Sequence, residues 1–153
     1  MNIEPGVGIG EIKYGIFEKD LIRILGNPDR IEKGEYVEGS GDWHRVLWYS
    51  HKNLSFTFDK EDDYRLGVIT VMGSGYPLFG KDLFNLPKNT VRDFITKVTN
   101  EIPKFEDHSF DSDPHECLDH NSLGIIFWFD SGDLSEMQCS YLFETDNETV
   151  KWP

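Results

Sequence analysis

The stretch SLGIIFWFDSGDLSEMQCSY, residues Ser122 to Tyr141, decides the fold of this chain. An apolar run, a cluster of turn residues and an alternating second half together predict a β-hairpin. We expect its tight turn at Asp130-Ser131-Gly132-Asp133, because Gly132 supplies the positive φ that such a turn needs. The hairpin therefore predicts an antiparallel sheet in this half of the chain.

The two strands of this hairpin differ in pattern. The first, Leu123 to Phe129, is apolar at nearly every position, so both of its faces must be covered. The second alternates, with Glu136, Gln138 and Ser140 on one side and Met137, Cys139, Tyr141 and Phe143 on the other.

If the strands pair, the polar side of the second continues into a side of the first that carries large apolar groups, either Trp128 with Ile126 or Phe127. Either a partner protein covers this apolar patch, or Trp128 belongs to the core and is covered by the helices or by Leu78 to Leu86.

Length and composition indicate one globular domain spanning residues 1–153. The apolar fraction is 38% and the aromatic fraction 14%, which is typical of a folded protein with a real core. Cys117 and Cys139 are the only cysteines, and no basic, apolar leader precedes the domain, so we expect reduced thiols and a cytoplasmic location. No apolar run approaches the roughly 20 residues of a membrane span.

The chain is acidic, with a formal net charge of −13. Residues 1–75 contain 13 acids and 9 Lys or Arg, whereas residues 76–153 contain 15 acids and 6 Lys or Arg. Between Phe105 and Val150 there are 12 acids and neither Lys nor Arg. Such a field repels nucleic acid and anionic membranes and attracts basic proteins, although a solvated acidic surface that only maintains solubility is the alternative.

Apolar spacing predicts two helices and several further strands. The first helix spans Ile16 to Leu25 and ends at Gly26; the second runs from Pro87 or Asn89 to Ile102 and is ended by Pro103. Strands are predicted at Arg30 to Val37, Val46 to Tyr49, Leu54 to Asp59 and Leu66 to Met72, with one or two more within Phe105 to Asn121.

The two halves of the chain echo each other. NLSFTFDKEDDYRLGVITVM in the first half corresponds to SLGIIFWFDSGDLSEMQCSYL in the second, which predicts sub-repeats of about 1–75 and 76–153. We therefore predict an α+β fold, a two-layer sandwich in which two helices pack on one face of an antiparallel sheet of about eight strands, built from a tandem repeat.

The opening GIGEIKYGIFEKDLIRILGNPDRI, followed by a hairpin and a second such unit, resembles the tandem helix-plus-β-meander repeat of β-lactamase-inhibitor-like proteins. The Gly-Ile-Gly opening, the Leu-Gly-x-Pro after the first helix and the LFGKDLF middle are also similar to small bacterial immunity proteins of contact-dependent or polymorphic toxin systems. The secreted β-lactamase inhibitors carry signal peptides and disulfides, and we expect neither feature in this chain. The resemblance therefore implies the fold and a protein-binding role rather than a particular target.

The sequence predicts neither catalytic residues nor a cofactor. His115, Cys117 and His120 invite comparison with a zinc site, but on one strand His120 would point away from the other two. Asp59, Glu61 and Asp63 begin like a calcium loop that lacks the required Gly and Glu. We therefore predict no bound metal and no enzymatic activity.

The functional hypothesis is an immunity protein that occludes the active site of a cognate basic protein toxin, such as a basic nuclease. The alternative is a non-enzymatic cytoplasmic binding or regulatory module for a small molecule or peptide. Under the first hypothesis, carboxylates would face toxin Lys and Arg while aromatic side chains anchor the interface. The predicted partner-binding residues are Asp107, Asp111, Asp113, Glu116, Asp119, Trp128, Glu136 and Tyr141.

Overall fold

A computed structural model describes residues 1–110 and 114–153, so the predicted binding residues Asp111 and Asp113 lie outside the described residues. The elements in chain order are β1 (Ile3–Glu4), β2 (Gly8–Ile9), β3 (Ile12–Lys13), α1 (Glu18–Leu25), β4 (Arg30–Glu35), β5 (Trp43–Tyr49), β6 (Leu54–Asp59), β7 (Arg65–Val71), α2 (Lys88–Thr99), β8 (Lys104–Asp107), β9 (His115–His120), β10 (Ile125–Asp130), β11 (Asp133–Ser140), β12 (Leu142–Phe143) and β13 (Val150–Lys151).

The main sheet has eight strands in the order β4-β5-β6-β7-β11-β10-β9-β8, and every neighbouring pair is antiparallel. Strands β1 to β3 form a small separate sheet, and β12 pairs with β13. This arrangement of two helices with one large antiparallel sheet confirms the predicted α+β sandwich.

In each half of the chain, a helix is followed by a four-stranded meander of the main sheet: α1 precedes β4 to β7, and α2 precedes β8 to β11. The two meanders meet where β7 pairs with β11. The third strands of the two meanders, β6 and β10, carry fully buried phenylalanines at matching positions: Phe56 and Phe58 in one, Phe127 and Phe129 in the other. The element order is thus the same in both halves. A tandem repeat of superposable halves stays a prediction.

Both helices pack on the same face of the sheet. Leu21 of α1 and Val91 and Ile95 of α2 are fully buried in one hydrophobic cluster with the inward side chains of both meanders. The amphipathic spacing of each helix produces this packing, because residues three and four apart share one side of a helix. The small N-terminal sheet closes the same core with Ile3, Ile9 and Ile12.

Polar contacts fix each helix to that face. The Arg45 guanidinium on β5 donates two hydrogen bonds of 2.8 Å to the Glu18 carboxylate at the start of α1. At the start of α2, the Lys88 ammonium lies 3.2 Å from the Glu116 carboxylate on β9. Both pairs are partly exposed and contribute up to about 1 kcal/mol each, so apolar burial carries most of the packing energy.

The helix boundaries differ slightly from the predicted ones. The first helix begins at Glu18 rather than Ile16, and it ends at Gly26 as predicted, with φ of 85°. The second ends at Thr99 rather than Ile102, because Asn100 adopts the left-handed conformation with φ of 61°. Ile102, which continued the apolar pattern in the sequence, is 77% exposed.

The hairpin turn is confirmed at its predicted place between β10 and β11. Ser131 and Gly132 have φ of 53° and 91°, the two positive values that a type I′ turn requires. The first strand of the hairpin begins at Ile125 rather than Leu123, because Gly124 adopts a left-handed φ of 65°. Among the described residues, no helix combines the length and the apolar character needed to cross a membrane.

Candidate functional site: the open face of the sheet

The candidate site is the face of the main sheet opposite the helices, which we call the open face. Alternation along the strands places every second residue there, and cross-strand pairing aligns those residues into rows. In the second half, strands β8 to β11, the open face carries Glu106, His115, Cys117, Asp119, Ile126, Trp128, Asp130, Glu136, Gln138 and Ser140. In the first half it carries Arg30, Glu32, His44, Val46, Trp48, Ser55, Thr57, Asp59, Val68 and Thr70.

Trp128 lies near the middle of the second half of the open face and is partly buried. Its indole Nε1 donates a hydrogen bond of 2.9 Å to Oε1 of Gln138 on β11. The ring stacks against His115, with 4.6 Å between ring centroids and an angle of 10° between the planes. Trp128 is therefore held in a fixed orientation by polar neighbours on the sheet.

The interpretation that the helices or Leu78 to Leu86 cover Trp128 is wrong. Both helices and this segment pack on the other face of the sheet, where Leu78 and Leu83 are fully buried in the core. Leu86 accepts a backbone hydrogen bond from Leu134 of β11, at 2.9 Å, on that side of the molecule.

Four carboxylates surround Trp128 on the open face: Glu106, Asp119, Asp130 and Glu136. Burial, together with the nearby Asp130, raises the pKa of Glu136. The hydrogen bond from His115 Nδ1, at 2.7 Å, lowers the pKa of Asp130. Lys104 lies at the edge of this group, 3.3 Å from the Glu106 carboxylate.

The structure divides the predicted binding residues between two faces. Asp119, Trp128 and Glu136 lie together on the open face. Asp107 and Glu116 are paired with each other and point to the helix side, where Glu116 contacts Lys88. We call the stretch between Phe105 and Val150, which contains neither Lys nor Arg, the acidic segment. Part of its charge lies on each face of the sheet, because neighbouring residues on a strand point in opposite directions.

Tyr141 lies just beyond β11 at the border of the open face. Its hydroxyl donates a hydrogen bond of 3.2 Å to Oδ1 of Asp62, and burial raises the pKa of the Tyr141 hydroxyl. The ring packs edge-on against Phe143 and Trp152. Tyr141 thus ties the C-terminal segment to the centre of the sheet.

A groove of about 700 Å³ runs along the open face beside Tyr141. Its apolar lining includes Val68, Ile126 and Leu142, and its polar lining includes Asp119, Ser140 and Asn147. The groove joins the Trp128 region to the C-terminal segment, so a ligand of the open face would also meet this depression.

The first half of the open face contains an aromatic cluster that the sequence analysis did not identify. The Arg30 guanidinium lies 4.6 Å from the centroid of the Trp48 ring, and Tyr36 stacks on His44 with 4.1 Å between ring centroids. The Tyr36 hydroxyl also donates a hydrogen bond to Asp59. The alternation of Val46 and Trp48 with Leu47 and Tyr49 was the available signal for these outward side chains.

The three residues compared with a zinc site do not come together. His115 and Cys117 point to the open face, whereas His120 is buried on the helix side, with its Nε2 3.1 Å from the Thr99 hydroxyl. The structure instead brings ligand atoms of Glu106, His108 and Cys117 within 4.8 Å of one another. Glu106 lies on β8 and His108 directly follows that strand. The sequence alone did not predict how β8 pairs with β9, so these two residues were not placed beside Cys117.

No protein-family model matches the chain, and neither a curated protein nor a solved structure matches it significantly. The class of protein is therefore defined by its fold and its open face: it is an α+β protein in which the sheet face opposite α1 and α2 presents aromatic and acidic side chains.

Proposed function

We propose that this chain is an immunity protein, which binds a cognate basic toxin through the open face and occludes the active site of that toxin. The single observation that carries the proposal is Trp128, a partly exposed indole fixed within a group of four carboxylates on the sheet face opposite α1 and α2. Tryptophan is enriched among the residues that dominate binding at protein interfaces, and polar side chains form the rim around such residues.

The size of the open face supports binding to another protein. Eight strands spaced about 4.8 Å apart and about six residues long give a surface of about 34 Å by 20 Å, or roughly 680 Å². A standard interface covers about 800 Å² on each partner. The open face and its immediate rim therefore provide enough area for a stable complex.

The charge of the open face supports a basic partner. Asp119 lines the groove, and Glu136 is the cross-strand neighbour of Trp128. Between Phe105 and Val150 the sequence contains neither Lys nor Arg. A surface of this kind attracts Lys-rich and Arg-rich surfaces and accelerates association. Toxins that cleave nucleic acids present such basic surfaces to phosphates, so this surface would compete with their substrate.

Within this proposal, Trp128 is the anchor and Asp119 and Glu136 are the nearest charged contacts. Tyr141 flanks them at the border of the groove. Asp107 and Glu116 face the helices, so their contribution is limited to the long-range field of the molecule. The residues of the acidic segment thus take different roles according to the face they occupy.

The test is co-expression with the product of the neighbouring gene. We expect the two proteins to purify as a stoichiometric complex, and we expect cells that express the neighbouring protein to survive only when this chain is present. A Trp128→Ala variant should lose protection while the Trp43→Ala variant, altered on the helix side of the sheet, retains it. Survival that does not depend on this chain, with no complex formed, would overturn the proposal.

The groove favours the alternative function, a non-enzymatic module that binds a small molecule or peptide. Its volume of about 700 Å³ lies within the range of small-molecule sites, and its lining combines apolar and hydrogen-bonding side chains. Under this alternative, a Ser140→Trp variant, which fills the groove, would abolish ligand binding and leave Trp128 accessible. Under the immunity proposal, the Trp128→Ala variant has the larger effect.

A further inference from the structure

The edge of the open face brings a thiol and two imidazoles next to the Glu106 carboxylate, and the proposed toxin binding does not require this combination of side chains. Glu106 on β8 stands directly opposite Cys117 on β9 in the antiparallel ladder. The backbone N–H of His108 donates to the carbonyl of His115 at 2.8 Å, which continues the same ladder by one more pair. A Glu-x-His pair on one strand therefore lies beside a His-x-Cys pair on the next, all on one face.

Two of these side chains converge on one carboxylate oxygen atom of Glu106. Oε2 of Glu106 lies 3.0 Å from Nε2 of His108 and accepts a hydrogen bond of 3.8 Å from Sγ of Cys117. The other carboxylate oxygen, Oε1, faces the Lys104 ammonium at 3.3 Å. All three potential ligand atoms lie within 4.8 Å of one another.

We propose that Glu106, His108 and Cys117 form a binding site for a divalent metal ion of the zinc class. A thiolate, an imidazole and a carboxylate are the ligand types that such ions take in proteins. In a tetrahedral zinc site, bonds of 2.0–2.3 Å place the ligand atoms about 3.3–3.8 Å apart. The two distances from Glu106 are already close to this range, so small side-chain rotations bring the three atoms to a common centre.

The surroundings of the thiol favour a metal rather than a simple hydrogen bond. Cys117 is only 2% exposed, yet its sulfur is directed at a carboxylate group. Trp128 is its cross-strand neighbour on β10, on the same face of the sheet. On binding, the thiol releases its proton to solvent and the sulfur forms the metal bond, while the fourth coordination position stays open to water or to an external ligand.

A bound ion would fasten the edge of the main sheet. Strand β8 has one neighbour in the sheet, and Phe105 and His108 are exposed. A metal that joins Glu106 and His108 to Cys117 would connect this edge strand to β9 through side chains as well as through backbone hydrogen bonds. We therefore expect Zn²⁺ to slow amide hydrogen exchange along β8.

The experiment is a titration of the free protein with Co²⁺, followed by displacement with Zn²⁺. We expect a sulfur-to-cobalt charge-transfer band in the near ultraviolet, with one ion bound per chain, and loss of the band when Zn²⁺ is added. The Cys117→Ser variant should lose the band, and the His108→Ala and Glu106→Gln variants should bind Co²⁺ at least about tenfold more weakly.

Matched controls separate this site from general charge and from other histidines. Asp107→Asn alters the neighbouring carboxylate on the opposite face, and His51→Ala removes an exposed imidazole in another turn. Both should bind Co²⁺ as the unaltered protein does. His108 is exposed, so its replacement leaves the fold intact and keeps the test valid even if the Cys117 variant does not fold.

Absence of the charge-transfer band in the unaltered protein, or equal affinity in the His108→Ala variant and its controls, would overturn the metal site. The titration uses the free protein and no toxin. Its result is therefore independent of the result of the co-expression experiment.

Discussion

At the scale of single residues, Trp128 is central to the proposed interface. Its indole is oriented by Gln138 and by the stacked His115, so little conformational freedom remains to be lost on binding. Aromatic residues with such support are the ones that dominate the free energy of protein interfaces.

We predict that Trp128→Ala weakens binding of the toxin by about 2 kcal/mol or more, which is a factor of roughly 30 in Kd. Trp43→Ala is the matched control, because Trp43 lies on the helix side of the same sheet and contacts Lys33. Isothermal titration calorimetry of both variants checks this prediction. Equal losses of affinity would show that Trp128 is not a special contact.

The second prediction at this scale concerns Glu136, whose pKa is raised by burial and by the nearby Asp130. A carboxyl with a higher pKa in the folded protein than in the unfolded chain destabilises the fold when it is ionised, at pH values above the folded pKa. This effect disappears as the pH falls below the ordinary glutamate pKa of about 4.3.

Glu136→Gln should therefore raise the melting temperature at pH 7 by about 1–3 °C, and the difference should vanish near pH 4. The same variant should bind the toxin more weakly, because it removes a charge from the open face. Thermal unfolding across this pH range measures the first effect. A difference that stays constant with pH would contradict the role assigned to ionisation.

At the scale of secondary-structure elements, the hairpin of β10 and β11 holds Trp128 and Glu136 opposite each other. Its turn depends on two residues with positive φ, Ser131 and Gly132. The conformation of this turn therefore contributes directly to the geometry of the open face.

We predict that Gly132→Ala lowers the free energy of unfolding by about 1–2 kcal/mol, because its φ of 91° strains any side chain even though no atom lies within 4 Å of the added methyl group. Gly34→Ala is the control: Gly34 is a strand glycine without a positive φ, and its added methyl group would make ordinary contact with His44 at 3.7 Å. Urea denaturation of both variants tests this. A similar loss in both would rule out the turn conformation as the cause.

The elements were largely predictable from the sequence because their signals are local. The turn at Gly132 and the end of α1 at Gly26 follow from the tolerance of glycine for positive φ. The end of α2 was missed because Ile102 continues the apolar spacing, and only the conformation of Asn100 interrupts the helix. The direction of each acidic side chain was also missed, because the face assigned to Asp107 or Asp119 depends on where β8 and β9 begin.

The face of the sheet on which Trp128 lies, relative to the helices, could not be obtained from local pattern at all. An apolar strand requires neighbours on both faces, but the sequence does not say which face the helices occupy. The same reason explains why Glu106 and His108 were not placed beside Cys117: that contact depends on the register of β8 against β9.

At the scale of the whole molecule, the two halves share a hydrophobic cluster and are joined by the β7–β11 ladder. Each half alone has about 75 residues and would expose the side chains that it now buries against the other. Chains of that size keep only a marginal core.

We predict a single cooperative unfolding transition for the whole chain, with coincident midpoints by near- and far-ultraviolet circular dichroism and equal calorimetric and van't Hoff enthalpies. The separate fragments 1–75 and 76–153 should not fold on their own. Two resolved transitions, or a folded fragment, would contradict the prediction of one domain.

The measurement that tests the central claim most directly is the rate of association with the toxin as a function of salt concentration. The variant Asp119→Lys/Glu136→Lys reverses two charges on the open face. The variant Asp107→Lys/Asp93→Lys makes the same change in net charge on the helix side, where Asp107 lies on β8 and Asp93 is an exposed residue of α2. We predict that the open-face variant associates about tenfold more slowly at low salt and with a flatter salt dependence, whereas the helix-side variant stays close to the unaltered protein. Equal effects of the two variants, or no effect of either, would contradict binding through the open face.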